Sequence, residues 1–244
     1  MWCKIKLYLC KLQKFMRQFL VCSFMVFSSF ATFSQTYELG VFVGGSNIIG
    51  DVGSTNYINP NSFAIGGVIK WDKSTRYDFR ASLTYTKLRA DDANSDLPSR
   101  VERGFKTQAK LLEASLGMEF NFFDFDLHHF SKPATPYIFG GISVFAHDKI
   151  FIRNNESSDY GNRITFAIPM GVGVKAKLAQ HAIVGFEVGA RYAFTDNLDG
   201  SNPIKELADR EDLKFGNIFS DDWYVFTGIT ITYSFGRKPC YSCY

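Results

Sequence analysis

The residues best suited to chemistry in this 244-residue chain include four histidines and their acidic neighbours. The histidines are His128, His129, His147 and His181. His128 and His129, flanked by Asp124 and Asp126, offer imidazole and carboxylate ligands to a metal ion. No two histidines have the helical spacing of a metal-binding motif, so we favour the alternative, a solvated polar turn.

Two further groups are weaker metal candidates. Cys240 and Cys243 have the spacing of half a zinc site, but a second pair is absent, which favours a local disulfide or thiol pair. An acidic segment contains Asp196, Asp199, Asp209, Glu211, Asp212, Asp221 and Asp222. It lacks the ligand spacing of known calcium loops, so a charged surface is favoured over calcium binding.

No Gly-x-Ser-x-Gly elbow for a catalytic serine occurs anywhere in the chain. Together with the weak metal candidates, this leaves no residue set with the spacing of a known catalytic or cofactor motif. The sequence therefore predicts no catalytic residue, no cofactor and no metal, and the protein is expected not to be an enzyme.

Composition indicates an all-β protein. Aromatic residues make up 16% of the chain, with 25 Phe and 12 Tyr, and Gly is frequent at 20. The mean hydropathy of −0.07 argues against a bundle of membrane helices. Five cations and no acid lie in the first 34 residues, so removing them changes the net charge from +3 to −2. The remaining chain is not basic, and no nucleic-acid partner is expected.

Residues 1–34 are predicted to be a signal peptide that precedes a barrel domain at 35–244. Arg17 is followed by the apolar run 19–33, and Thr32 and Ser34 fit cleavage before Gln35. Met16 is an alternative start. A lipoprotein signal through Cys22 is less favoured, because Val21 stands where a small residue is needed.

Eight stretches alternate between apolar and polar or small residues with period two, as β-strands do. They are 37–45, 63–71, 77–88, 106–122, 137–146, 164–174, 182–194 and 223–235. Several exceed the roughly 5–6 residues of a typical soluble strand and reach the ~9–11 residues that cross a bilayer. Alternation alone does not exclude a soluble β-sandwich.

The connections between these stretches favour a membrane barrel. Long connections at 46–62, 89–105, 147–163 and 195–222 alternate with shorter ones at 72–76, 123–136 and 178–181. Outer-membrane barrels have this alternation of extracellular loops and periplasmic turns. We therefore predict an eight-stranded antiparallel up-and-down transmembrane β-barrel with long extracellular loops, located in the bacterial outer membrane and surrounded by its lipids.

The inner face of that barrel would carry charges. They are Glu38, Asp78, Arg80, Glu113, Glu119, Glu187 and Arg191. Lys106 and Lys175 are expected to compensate the acids near the strand ends. An ion path is one interpretation. A paired network that fills the lumen is favoured, because side chains roughly fill a barrel of eight strands.

Two segments on the periplasmic side are longer than closure of a barrel requires, and we predict them to dock a partner. The turn 123–136 contains Asp124, Asp126, His128, His129 and Lys132. The tail 236–244 contains Arg237, Lys238, Tyr241 and Tyr244, and aromatic and Arg side chains are common interface anchors. The alternative for the tail is a frayed terminus.

Four short motifs resemble an outer-membrane barrel family of Bacteroidetes, the PorG-type barrels of the type IX secretion system. They are YELGVFVGGSNIIGD at 37–51, PYIFGG at 136–141, FTDNLD at 194–199 and YSF at 233–235. The resemblance implies a barrel without catalytic residues that anchors the periplasmic ring of a secretion machine, alongside a lipoprotein. Alternatives are an enzyme or ligand binder using His147 and Asp148, or an adhesion barrel acting through its long loops.

Overall fold

A computed structural model describes residues 36–127, 133–217 and 220–236, except for the side chain of Lys205. Eight antiparallel strands form one sheet: β1 (Thr36–Ile49), β2 (Ser62–Asp72), β3 (Tyr77–Asp91), β4 (Lys106–Asn121), β5 (Ala134–Arg153), β6 (Glu156–Lys177), β7 (Ala182–Ala193) and β8 (Trp223–Gly236). Each strand pairs with its neighbours in sequence, and β1 also pairs with β8. The predicted up-and-down barrel is therefore confirmed.

The barrel is apolar outside, whereas charged residues face inward together with a buried apolar cluster that includes Phe42, Phe145 and Phe226. Leu116 and Phe166 point outward and are 62% and 67% exposed, whereas Glu113 and Glu119 are fully buried inside. A soluble sandwich would have the opposite arrangement, so that alternative is wrong. Since closure also pairs every strand edge, the chain can cross a bilayer without unsatisfied backbone groups, and it is an outer-membrane type of barrel.

Aromatic side chains mark both ends of the apolar wall. Near the chain termini, Tyr37 stacks on Trp71 with ring centroids 6.5 Å apart. At the other end, Tyr192 packs edge-on against Trp223, at 5.1 Å, and against Phe194, at 5.2 Å. These rings lie where the two membrane interfaces are expected, because aromatic girdles border the lipid-facing band of such barrels.

The predicted loop 147–163 is wrong. β5 and β6 have 20 and 22 residues and continue beyond the barrel wall as a hairpin that closes at the pair Arg153–Glu156. Asn154 and Asn155 form its turn with φ values of 53° and 66°, the left-handed conformation that a two-residue hairpin turn requires. The segment was predicted as a loop because its polar composition hides the strand alternation.

The β3–β4 loop contains the short helix α1 (Pro98–Arg103), which ends at Gly104 in the left-handed conformation. In the described residues, no helix has the length and apolar character needed to span a bilayer.

Candidate functional site

The barrel interior contains a charge network centred on Arg80 of β3. Its guanidinium donates two hydrogen bonds of 2.7 Å to Glu187 of β7 and one of 3.1 Å to Glu119 of β4. The side chain also stacks 4.9 Å from the Phe139 ring. Inward positions on three strands thus converge on one cation, and Arg80 is paired with two of the acids that were expected inside the barrel.

Two lysines complete this network. Lys70 lies 2.9 Å from Glu119, and Lys175 lies 2.6 Å from Asp78 and 3.3 Å from Glu119. Glu119 therefore contacts three cations. Lys70 was missed from the sequence, although its position in the alternation of β2 places it inside. Lys175 lies two residues before the end of β6 and pairs with these acids, as expected for compensation near a strand end.

A second, smaller network lies nearer the loop end. Arg191 is 3.4 Å from Glu113, and the Tyr224 hydroxyl donates a hydrogen bond of 2.6 Å to the same carboxylate. Glu38 belongs to neither network and accepts a hydrogen bond of 2.6 Å from Thr232. All seven charged residues predicted inside the barrel are therefore buried there, but they form two networks and one separate acid.

The role predicted for Lys106 is wrong. Its side chain is 62% exposed and pairs with Asp91 at 3.1 Å on the outer face of the barrel. Even-numbered positions of β4 point outward, as Leu112 and Leu116 do, so Lys106 has the wrong parity to neutralise an acid inside.

A small cavity lies between Arg80 of the first network and Arg191 of the second. The cavity lined by Arg80, Ser82, Ser115 and Arg191 holds about 10 Å³, close to the minimum for one water molecule. Ser82 and Ser115 are also hydrogen-bonded to each other across it at 2.7 Å. The two networks and this serine pair lie across the lumen, as expected when side chains fill a barrel of eight strands.

The β4–β5 turn folds back over the mouth of the barrel at the end where β1 begins and β8 ends. Phe125 and Leu127 are buried against Ile183, and the ring of Phe125 lies 4.9 Å from the Lys175 ammonium. Lys177 donates a hydrogen bond to the carbonyl of Leu127. Part of the segment predicted to dock a partner thus forms a plug, because its residues Phe125 and Leu127 pack into the mouth of the barrel.

The remaining residues of that prediction have different surroundings. Asp124 is 66% exposed and pairs at 2.6 Å with Arg76 of the neighbouring turn, while Asp126 is half-buried. The other predicted docking residues lie outside the described residues. The same holds for the predicted signal segment 1–34 and for Cys240 and Cys243. These docking residues are His128, His129, Lys132, Arg237, Lys238, Tyr241 and Tyr244.

At the opposite end, the β1–β2, β3–β4 and β7–β8 loops pack together and form a cap. Asp92 is fully buried and accepts hydrogen bonds from Arg103, the Gly53 amide and the Phe105 amide. Arg103 also lies 5.1 Å from the ring of Phe215, which comes from the β7–β8 loop. This one carboxylate and its arginine therefore join three of the four connections.

Three carboxylates inside the cap have raised pKa values. Burial and repulsion by Asp199 raise the pKa of Asp196 to about 7, and burial raises the pKa values of Asp199 and Asp222 as well. Asp199 and Asp222 approach Gly50 so closely that a Cβ there would lie 2.6 Å and 2.5 Å from their oxygens. Each also accepts a backbone hydrogen bond, so they organise the loops.

His147 and Asp148 do not form a joint site. His147 is 2% exposed, with its ring 5.3 Å from Phe145 inside the barrel. Asp148 has the opposite parity and accepts a hydrogen bond of 3.0 Å from the backbone amide of Lys110. The two side chains lie on different sides of the wall. No cluster of three or more His, Cys, Asp or Glu side chains among the described residues is arranged to hold a metal.

Comparisons with known proteins match the chain to one family. The family model described as "Domain of unknown function (DUF6089)" matches residues 17–244. The comparison with curated proteins gave no match.

Several solved barrels have a similar chain trace. The N-terminal β-barrel domain of Pseudomonas aeruginosa OprF shares 12% identity and a TM-score of 0.42, over 82% of this chain and 97% of that one. Neisserial surface protein A shares 11% sequence identity with a TM-score of 0.47, over 83% of this chain and 98% of that one. Ail, the attachment invasion locus protein of Yersinia pestis, shares 9% sequence identity with a TM-score of 0.44, over 83% of this chain and 100% of that one. The fold itself is established by the closed register of this chain.

Proposed function

The chain belongs to the DUF6089 family, and we propose that it is a structural outer-membrane barrel that anchors a periplasmic protein-secretion complex. The observation that carries this proposal is the filled interior. Arg80, Glu119 and Glu187 cross-link three strands where a channel protein would need an open path. A plugged barrel acts through its rims and its membrane position, and it needs no enzymatic activity.

The periplasmic rim supplies the contact surface in this proposal. Phe123 is 61% exposed, next to the exposed ion pair of Asp124 and Arg76. An exposed aromatic residue beside polar groups is the composition of an interface anchor. The short motifs of this chain resemble those of type IX secretion barrels. This resemblance supports the periplasmic ring of that system, with its lipoprotein, as the partner.

The proposal is tested by photocrosslinking in intact envelopes. A photoreactive amino acid replaces Phe123, and in a control variant it replaces Asn155 at the tip of the loop-end hairpin. We expect crosslinks to periplasmic secretion components from position 123 only, and loss of secretion when the gene is deleted. Equal crosslinking from both positions, or normal secretion after deletion, would contradict the anchoring function.

A second candidate function is ligand binding or adhesion through the loops. One observation favours it: in the β1–β2 loop, Tyr57 is 77% exposed and Ile58 is 57% exposed. Loss of surface attachment in a Tyr57→Ser/Ile58→Ser variant, with secretion intact, would support adhesion over anchoring.

A further inference from the structure

The outer face of β3 and β4 changes from apolar to basic at the loop end. Tyr85 pairs with Leu112 as the last apolar pair. Two positions further, Lys87 lies directly opposite Lys110, and Arg89 follows on β3. The lysine pair is unfavourable by itself, because like charges facing each other across two strands repel.

Protein carboxylates do not relieve this repulsion. Asp91 is taken by Lys106 at 3.1 Å, and Asp148 contacts the backbone amide of Lys110. In the part of the chain that the structure describes, no carboxylate lies within ion-pairing distance of the side chains of Lys87, Arg89 or Lys110. The fold therefore brings three cations together, and among the described residues none of the three side chains forms an ion pair.

The position of these cations relative to the membrane indicates their partner. At about 3.3 Å per residue, Lys87 lies roughly 7 Å along the strand beyond Tyr85, which ends the apolar wall. Long cationic side chains at this level keep their stems on apolar surface and their charges in the headgroup layer. The anionic groups of that layer are lipid phosphates.

The basic character is confined to one sector of the barrel. At the loop end, the neighbouring strand β2 presents Phe63, which is 65% exposed, and β6 presents Ile164, which is 72% exposed. Near the loop ends of β7 and β8, Tyr192 and Trp223 pack against each other. A local cluster of cations beside apolar wall fits one phosphorylated lipid better than general attraction to a charged surface.

We propose that Lys87, Arg89 and Lys110 bind the phosphate group of a phosphorylated glycolipid in the leaflet that surrounds the loop end of the barrel. Arg89 can donate two parallel hydrogen bonds to phosphate oxygens, and the two lysines add point charges. Acyl chains of the same lipid would lie along the adjacent apolar wall. The bound phosphate then offsets the repulsion between the lysines.

The test uses the complete mature chain in nanodiscs of phosphatidylcholine, with increasing amounts of lipid A as the probe. Wild type is compared with Lys87→Gln/Lys110→Gln and with a charge-matched control, Lys73→Gln/Lys214→Gln, whose two sites lie outside the cluster. A cation beside an anionic lipid contributes about fivefold in affinity, so we expect roughly 25-fold weaker binding in the cluster variant only. Equal binding by the two double variants would overturn the proposal.

A charge reversal separates lipid binding from folding. Lys87→Glu places opposite charges across the strands, so its unfolding temperature in phosphatidylcholine alone should equal or exceed that of wild type, while lipid A binding is lost. Retained lipid A binding in this variant would overturn the proposal. So would displacement of lipid A by inorganic phosphate at the same phosphate concentration, since the site would then be a free-anion site.

Discussion

Single residues in the barrel interior are constrained by charge pairing more than by size. Arg80 contacts Glu119 and Glu187, and among the described residues Glu187 has no second cation within ion-pairing distance. We expect Arg80→Met to destabilise the folded barrel by about 3–5 kcal/mol, since it leaves a buried carboxylate unpaired. Urea unfolding in lipid vesicles measures this loss.

The control for that prediction removes both partners. In Arg80→Met/Glu187→Met, Glu119 keeps Lys70 and Lys175, so most of the stability should return. If the double variant were as unstable as the single one, the loss would come from packing around Phe139 and would not depend on the unpaired charge.

Asp196 gives the cap a dependence on pH. Its pKa rises from 3.8 to about 7 in the folded cap, so the folded state binds a proton that the unfolded loop releases. The stabilising contribution is complete below pH 3.8 and is lost as pH rises towards about 7. Hydrogen exchange at the amides of Asp51, Leu198 and Ser201, corrected for intrinsic rates, should therefore be faster at high pH than at low pH.

Neutral variants of two acids test this dependence. Asp196→Asn should flatten the rise in exchange over that range, because the titrating carboxyl is gone. Asp212→Asn, at an exposed acid paired with Arg210, should leave the profile unchanged. A pH profile that is the same in wild type and Asp196→Asn would assign the effect to Asp199 and Asp222 instead.

Among the elements, the β5–β6 hairpin depends on its turn. Asn154 and Asn155 both have positive φ, which Asn and Gly adopt at low cost and β-branched residues do not. We expect Asn155→Val to open the hairpin tip locally, with increased proteolysis between 150 and 160 and an unchanged barrel. Asn155→Gly should remain as resistant as wild type. Equal proteolysis of the two variants would show that the flanking strands hold the tip without the turn.

The ends of β5 and β6 in this hairpin could not be predicted from the sequence, unlike the strands of the barrel wall. The wall strands are predictable because lipid outside and packed charge inside impose a two-residue alternation, as in β7. Beyond the wall, a register shift between Asp148 and Ile150 moves the buried face of β5 from odd to even positions, while the polar first residues of β6 show no alternation in sequence. The plug formed by Phe125 and Leu127 was missed for a related reason, since a short turn has no period that reveals which residues fold inward.

For the whole molecule, the sequence predicts which residues are inside but not which of them meet. Arg80 and Glu187 are 107 positions apart, and their contact depends on the stagger of several strands around the closed barrel. Alternation fixes the face of each residue and leaves this stagger open. The division of the interior into two networks was therefore beyond sequence reasoning, as was the basic cluster at Lys87 and Lys110.

The orientation of the barrel in the membrane is predicted from the lengths of the connections at its two ends. The cap and the long hairpin lie at one end, whereas the other end has short turns and both described termini of the barrel. Because outer-membrane barrels place their longer loops outside, we expect the cap at the cell surface. Single cysteines are introduced in a Cys240→Ser/Cys243→Ser background and treated on whole cells with a membrane-impermeant maleimide. Exposed sites at Asn155 and Asp209 should react, while Lys73 and Ala179 should react only after lysis. The reverse pattern would place the cap in the periplasm, and the basic cluster would then face the inner leaflet.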